Sequence, residues 1–236
     1  MMLTTARQDI ERRFAAARLA AAEPCDDTGQ TELAMLDAVG SVMTLEREAT
    51  LFYEGDAAGH YYKVVTGAVR SCRLLSDGRR HVGDFFLPGD LIGFHSLDTH
   101  GFTAEAVSNS TLVRYERRNV EALMTRSPRV GKCLLNRMCS ELSEARSRMM
   151  MLGRMTAQER IANFLLRMAD RNGHDDPDSI ALPMTRTDIG DYLGLTTETV
   201  CRTLAQLKSA GVIAAPSPHQ VRLLQRAALA SIADGA

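Results

Sequence analysis

TDIGDYLGLTTETVCRTLAQLKSAGVI, residues 187–213, decides the reading of this chain. Thr187 to Leu193 fits a short helix, with Ile189 and Leu193 one turn apart. Gly194 supplies a tight turn where a side chain would be costly. Thr196 is placed to cap a second helix, and Gly211 to end it. Within that second helix Val200, Leu204 and Leu207 share one face, which should bury. Glu198, Cys201, Arg202 and Ala205 share the opposite face. After Val212, AAPSPHQVRLL reads as a strand, a turn and a strand, which makes a wing. The pattern predicts a winged helix-turn-helix.

The exposed face carries the chemistry that reads base edges. Arg202 can donate two hydrogen bonds to guanine O6 and N7, and Glu198 can accept from cytosine N4. Cys201 lies between them. Thr185, Arg186, Thr197, Thr199 and Lys208 suit phosphates, which fix register without reading sequence. An ordinary surface helix also carries Glu/Arg pairs. The turn, the cap and the wing are what favour double-stranded DNA as the partner.

Working back towards the N-terminus, MTAQERIANFLLRMADRNG (155–173) reads as a helix, with Thr156 and Glu159 as a capping box. Before it, Leu134, Met138, Leu142, Ala145, Met149 and Leu152 are spaced 4, 4, 3, 4 and 3, one apolar stripe on a long helix. Such a stripe packs on its own domain or forms the seam of a two-stranded coiled coil. The second reading is preferred, because a long helix between two domains has little else to pack against.

Residues 43–116 read as strands: LFYEGD, YYKVVTG, VRSCRLLSDG, RRHVGDFFLPGD, LIGF and TLVRYER. Glycines at 55, 67, 78 and 89 punctuate them at intervals of 12, 11 and 11 residues. That rhythm suggests an antiparallel sandwich or barrel. SDG at 76–78 is a hairpin turn. The expected organisation is a helical segment at 1–40, a strand-rich sandwich or barrel at 41–117, a dimerisation helix region at 118–153 and a winged helix-turn-helix at 154–236. The fold class is α+β.

Composition sets bounds on function. The 236 residues suffice for one large domain or two smaller ones. Formal net charge is -1, so any positive surface for nucleic acid must be local. No apolar run reaches membrane-spanning length, and charges interrupt the N-terminal apolar residues, so neither a membrane span nor a secretory leader is expected. Five scattered cysteines with no CxxC fit a reducing cytoplasm rather than a disulfide framework.

TRTDIGDYLGLTTETVCR resembles the DNA-binding signature of the FNR branch of the CRP/FNR family of bacterial transcription regulators. LFYEGD, FFLPGDLIGF and the glycine spacing resemble the family's β-roll. The resemblance covers most of the chain after residue 40. It implies a cyclic-nucleotide-binding-like jelly roll, a long dimerisation helix and a C-terminal winged helix-turn-helix. It also implies a homodimer on a palindromic promoter site, working with RNA polymerase. By position, Glu198 and Arg202 would read a TTGA-type half-site. The branch usually places Ser between them. Cys201 at that position is similar to the FixK regulators of nitrogen-fixing and denitrifying alphaproteobacteria.

The same resemblance tests for cofactors, and none is expected. Cyclic-nucleotide binders of the family use a Gly-Glu pair for the ribose and an Arg-Ser pair for the phosphate, since an anion in a pocket wants a bidentate cation. Here Phe94 stands for the glutamate, and Phe102 and Thr103 for the arginine and serine. Arg70, Arg79 and Arg80 read as solvated strand and turn charges. An iron-sulfur cluster needs four thiolates or close substitutes. Only Cys25 lies in the N-terminal region, and Val113 takes the place of the roll cysteine. Cys72, Cys133 and Cys139 read as core or seam residues. Histidines 60, 81, 95 and 100 are scattered, which argues against haem.

The leading reading is therefore an activator of low-oxygen genes, without a small-molecule effector and modulated by oxidation of Cys201. The helix dipole and Arg202 bring positive potential to that thiol, and Glu198 opposes it. A haem- or metabolite-gated sensor is the alternative. A cupin-like enzyme comes last, because such enzymes hold metal with a His-x-His that this sequence lacks.

Overall fold

The structure is a computed structural model and describes residues 35–94, 98–153, 155–171, 176 and 178–235. Most of the expected N-terminal helical segment, Cys25 and His95 lie outside the described residues, as does the side chain of Leu152.

Eight strands come first: β1 (Gly40–Leu45), β2 (Thr50–Phe52), β3 (His60–Thr66), β4 (Val69–Leu74), β5 (Arg80–Phe86), β6 (Leu91–Ile92), β7 (Thr103–Ala106) and β8 (Ser110–Glu116). They form two four-stranded sheets, β1-β8-β3-β6 and β2-β7-β4-β5. The pairing of β1, β3 and β6 along the first sheet is antiparallel, with Tyr61 opposite Tyr115 and Tyr62 opposite Ile92. The hairpin between β4 and β5 turns where expected. Gly78 has φ 82°, and Leu75 and Arg79 close the turn with a 2.8 Å hydrogen bond. Positive φ at that position costs glycine little and other residues more.

The two-residue period of the strands sorts the first sheet's side chains onto two faces. Tyr62, Val64, Ile92 and Leu112 join Phe52, Val69, Phe86 and Ala104 in one buried cluster. Tyr61, Leu91, Val113 and Tyr115 form a second cluster, with Leu36, Val120, Val130 and Leu134. The sheet is thus apolar on both faces. One packs against strands, and the other is covered by α1 (Arg117–Arg126), the start of α2 (Pro128–Leu152) and Leu36. Beside Leu36, Asp37 accepts a 2.7 Å hydrogen bond from the Tyr115 hydroxyl and pairs with Lys63 at 3.2 Å. Burial first, and then the Asp37 charge, push the Tyr115 hydroxyl far above the ordinary phenol range.

This double-sided sheet corrects the expected stripe on the long helix. Leu134 is 2 % exposed and packs in the roll's own core. The exposed apolar residues of α2 are instead Leu135, Met138, Leu142 and Met149. With half-buried Ala145, they repeat at intervals of 3, 4, 3 and 4, which is the heptad spacing of a coiled-coil seam.

The remainder comprises α3 (Ala157–Arg171), β9 (Ser179–Ala181), α4 (Arg186–Leu193), α5 (Thr197–Ser209), β10 (Ile213–Ser217), β11 (Gln220–Leu223) and α6 (Arg226–Ala233). The expected capping box precedes α3. Glu159 reaches back to the Thr156 N–H at 3.1 Å, and the Thr156 hydroxyl accepts from the Glu159 N–H at 3.3 Å. α3 buries Ile161, Phe164, Leu165 and Met168. The wing strands pair antiparallel in the order β10-β11-β9.

By compactness the chain divides into two units. Among the described residues, one unit comprises those between 35 and 71 and between 85 and 138, and the other those between 72 and 84 and from 139 onward. The tip of the β4–β5 hairpin therefore groups with the helix-turn-helix. No described helix is long and apolar enough to cross a membrane.

Candidate nucleic-acid interface

α4 and α5 are capped at both ends by their own sequence. Thr185 caps α4: its hydroxyl accepts from the Asp188 N–H at 3.1 Å, while Asp188 accepts from the Thr185 N–H at 2.9 Å. Gly194 ends α4 in the left-handed conformation, at φ 65°. Thr196 caps α5 by accepting from the Thr199 N–H at 3.1 Å. The C-cap of α5 is Ala210, one residue before the expected Gly211, which takes φ 69° in the turn that follows.

Gly190 was not singled out by sequence reasoning, and it lets the turn between the two helices pack directly on α4. The N–H of Leu195 bonds its carbonyl at 2.9 Å. A Cβ at Gly190 would lie 2.7 Å from the Leu195 carbonyl oxygen. The close approach demands glycine here, although the residue is in the middle of a helix. The only sequence signal is a glycine in a helix interior, where it costs about 1 kcal/mol relative to alanine.

α5 then divides as its spacing predicts. Val200, Leu204 and Leu207 are buried, with Thr203. Glu198, Cys201, Arg202 and Ala205 are exposed on the other side. Arg202 Nη1 lies 3.8 Å from Glu198 Oε1, with the two side chains 61 % and 86 % exposed. A pair this open gains little from its own attraction, so both groups remain available to a partner.

The residues assigned to the DNA backbone are differently placed. Lys208 is exposed near the C-terminal end of α5. Thr197 donates a 3.3 Å hydrogen bond to Thr187. Thr199 shares a 2.9 Å bond with Thr196, and Thr185 donates to Asp188 at 2.7 Å, so both hydroxyls are engaged in caps. Arg186 is half-buried, and its Nη1 is buried without a hydrogen-bond partner. Burial draws its pKa below the ordinary arginine range, and the neighbouring Cys201 opposes that.

Two arginines of the roll are not the solvated charges expected. Arg70 is 3 % exposed and is held at 2.7 Å by both Glu105 and Glu48. Arg80 pairs with Asp188 at 2.6 Å and with Asp191 at 2.9 Å. Arg79 does follow expectation, 77 % exposed beside Asp77.

The positions where the family would hold a cyclic nucleotide do not fit one. Phe94 stacks on Tyr61 with ring centroids 3.9 Å apart. Phe102 packs against Phe52 and Phe86. The Thr103 hydroxyl accepts from the Glu54 N–H at 3.1 Å. Phe94 and Phe102 are engaged in aromatic packing and offer no cation to an anionic phosphate. Among the described residues, no group of three or more His, Cys, Asp or Glu is arranged to hold a metal.

Comparison with known proteins agrees with this architecture. Residues 42–127 match the cyclic nucleotide-binding domain family, and residues 159–232 match the Crp-like helix-turn-helix domain. The chain is 40 % identical over 195 residues to the nitrogen fixation regulation protein FixK of Azorhizobium caulinodans, covering 81 % of this chain and 79 % of that one. It is 34 % identical over 215 residues to the transcriptional activator protein FnrL of Cereibacter sphaeroides, covering 86 % and 87 %. The solved structure of FixK2 from Bradyrhizobium japonicum superposes with a TM-score of 0.78 at 40 % identity, covering 82 % of this chain and 97 % of that one. A β-roll, a long helix and a winged helix-turn-helix, with relatives that are regulators rather than enzymes, make this chain a member of the CRP/FNR family of transcription regulators, in its FixK-like branch.

Proposed function

We propose that the chain binds a palindromic, TTGA-type promoter site as a homodimer and, with RNA polymerase, activates genes of low-oxygen metabolism in the cytoplasm. The observation that carries this reading is the face of α5, where Glu198, Cys201 and Arg202 stand exposed while Val200, Leu204 and Leu207 anchor the helix. Arg202 and Glu198 read bases, and Cys201 lies against them. Thr197 and Lys208 meet phosphates. Thr185, Arg186 and Thr199 act at the same backbone, Thr185 through the start of α4 that it caps and Thr199 in the first turn of α5, which Thr196 caps. The seam joining two copies runs through Met138, Leu142, Ala145 and Met149, and continues at Leu135 and Leu152. The relatives named as nitrogen fixation regulators and transcriptional activators support this reading.

Cys201 gives the site a redox response. An exposed thiol oxidises more readily than a buried one. Sulfenate or sulfinate at this place adds bulk and negative charge facing DNA, so affinity falls. The test is selection of bound duplexes from a random pool, followed by gel shift with and without peroxide. The expected result is a two-fold symmetric TTGA-type site, with peroxide weakening the parent and sparing Cys201→Ser. Equal peroxide sensitivity in both proteins would remove the switch from Cys201. Selection of no symmetric site would overturn the reading as a whole.

A further inference from the structure

Arg80 lies at the start of β5, 108 residues before the carboxylate it holds. Its Nη2 donates to Asp188 Oδ1 at 2.6 Å, and its Nε donates to Asp191 Oδ2 at 2.9 Å. One guanidinium thus spans two carboxylates a turn apart on α4, a use of its planar fork that an ammonium cannot copy. Asp188 is 1 % exposed, and its other oxygen completes the α4 cap by accepting the Thr185 N–H at 2.9 Å and hydroxyl at 2.7 Å. A carboxylate removed from water in this way calls for a cation beside it, and Arg80 supplies one.

The hairpin that carries Arg80 is itself shaped to hold it. Gly78 closes the turn, and Asp77 pairs with Arg79 at the tip, which leaves the next residue directed at α4. α4 is in turn held close to α5: Gly190 accepts from the Leu195 N–H in the turn between them, and Thr197 at the start of α5 donates to Thr187 of α4. The chain of contacts runs from Arg80 to Asp188, along α4 to Gly190, and across to the helix bearing Glu198 and Arg202. In this clamped arrangement the reading face is open, with Glu198 86 % and Arg202 61 % exposed.

We infer that Arg80 is a positioning residue for DNA binding: through Asp188 and Asp191, the β4–β5 hairpin tip holds α4, and with it α5, in the arrangement that binds DNA. This rests on the base-reading role proposed for α5. Arg80 does not enter the groove, so it acts on affinity for all duplexes alike. The number of phosphates contacted, and with it the salt dependence of binding, is unaffected.

The experiment compares full-length parent, Arg80→Gln, Arg80→Lys and Asp191→Asn by fluorescence anisotropy. Each is titrated with the selected palindrome and with a duplex altered in one half-site, across a salt series, at a temperature where circular dichroism shows the variant folded. Asp191→Asn is the variant that leaves the α4 cap untouched, should Arg80→Gln fold poorly. The expected result is weaker binding by Arg80→Gln and Asp191→Asn, within a range of about twofold to thirtyfold. Arg80→Lys should fall between the parent and Arg80→Gln. The preference for the intact palindrome and the salt slope should stay at their parental values. Unchanged or tighter binding by a folded Asp191→Asn overturns the inference, as does a loss confined to the intact palindrome. A parent that shows no preference for the palindrome overturns the base-reading role, and this inference with it.

Discussion

Arg202 and Glu198 face each other across one turn of α5, 3.8 Å apart and both open to water. Their attraction is weak enough that bases can displace it. Arg202→Ala should therefore leave the fold intact and remove specific binding. Loss of a bidentate guanine contact costs ~1–3 kcal/mol per half-site, and a dimer on a palindrome loses it twice. Competition gel shifts against random DNA measure this. Retained selectivity for the palindrome would assign base reading to other residues.

Leu142 is 52 % exposed in the heptad-spaced face of α2. If that face joins two copies, Leu142→Glu places a carboxylate in an apolar seam at a cost of several kcal/mol. Sedimentation at micromolar concentration should show monomer for the variant and dimer for the parent. A variant that remains dimeric would place the seam elsewhere.

Gly190→Ala tests the close packing on α4 of the turn that leads to α5. The added Cβ meets a backbone carbonyl at 2.7 Å, which cannot swing aside as a flexible side chain can. Overpacking of this kind costs roughly 1–3 kcal/mol, and the gain in helix propensity returns about 1 kcal/mol. The variant should be less stable by up to about 2 kcal/mol in urea unfolding and should bind DNA more weakly. Stability equal to the parent would mean that the turn relaxes freely.

His100 gives the roll a pH dependence. It is buried, stacked on Phe52 with centroids 3.5 Å apart, and its Nδ1 has no hydrogen-bond partner. Burial holds its pKa below the ordinary 6.5. Asp56 opposes this, while Arg117 and His60 reinforce it. The unfolded chain therefore takes up the proton first as pH falls. The contribution of the neutral ring is fully present above 6.5 and is lost as pH drops through that value towards the lower folded pKa. The melting temperature of the parent should fall more between pH 8 and pH 5 than that of His100→Phe, which keeps the aromatic stack. Identical slopes would show that His100 does not titrate with folding.

Much of the candidate site was legible because its rules are local. Thr196, Gly194 and the spacing of Val200, Leu204 and Leu207 act within a few residues of one another, so caps, turn and buried face follow from the order of side chains alone. The strand rhythm and the SDG turn are local in the same way.

What the sequence left open are choices between two faces and pairings across distance. Val130 and Leu134 form one apolar ridge of α2, while Leu135, Met138 and Leu142 form another. Both satisfy helical spacing, and only the apolar outer face of the first sheet, assembled from β1, β3, β6 and β8, decides that Leu134 turns inward. Arg70 and Arg80 looked like exposed strand charges because their carboxylates come from elsewhere in the chain: Glu48 and Glu105 for one, Asp188 and Asp191 for the other. A local pattern determines an element and its buried face, since those depend on neighbours three or four residues away. The partner of a charge is determined by where the backbone returns, and that is settled only when the tertiary structure closes.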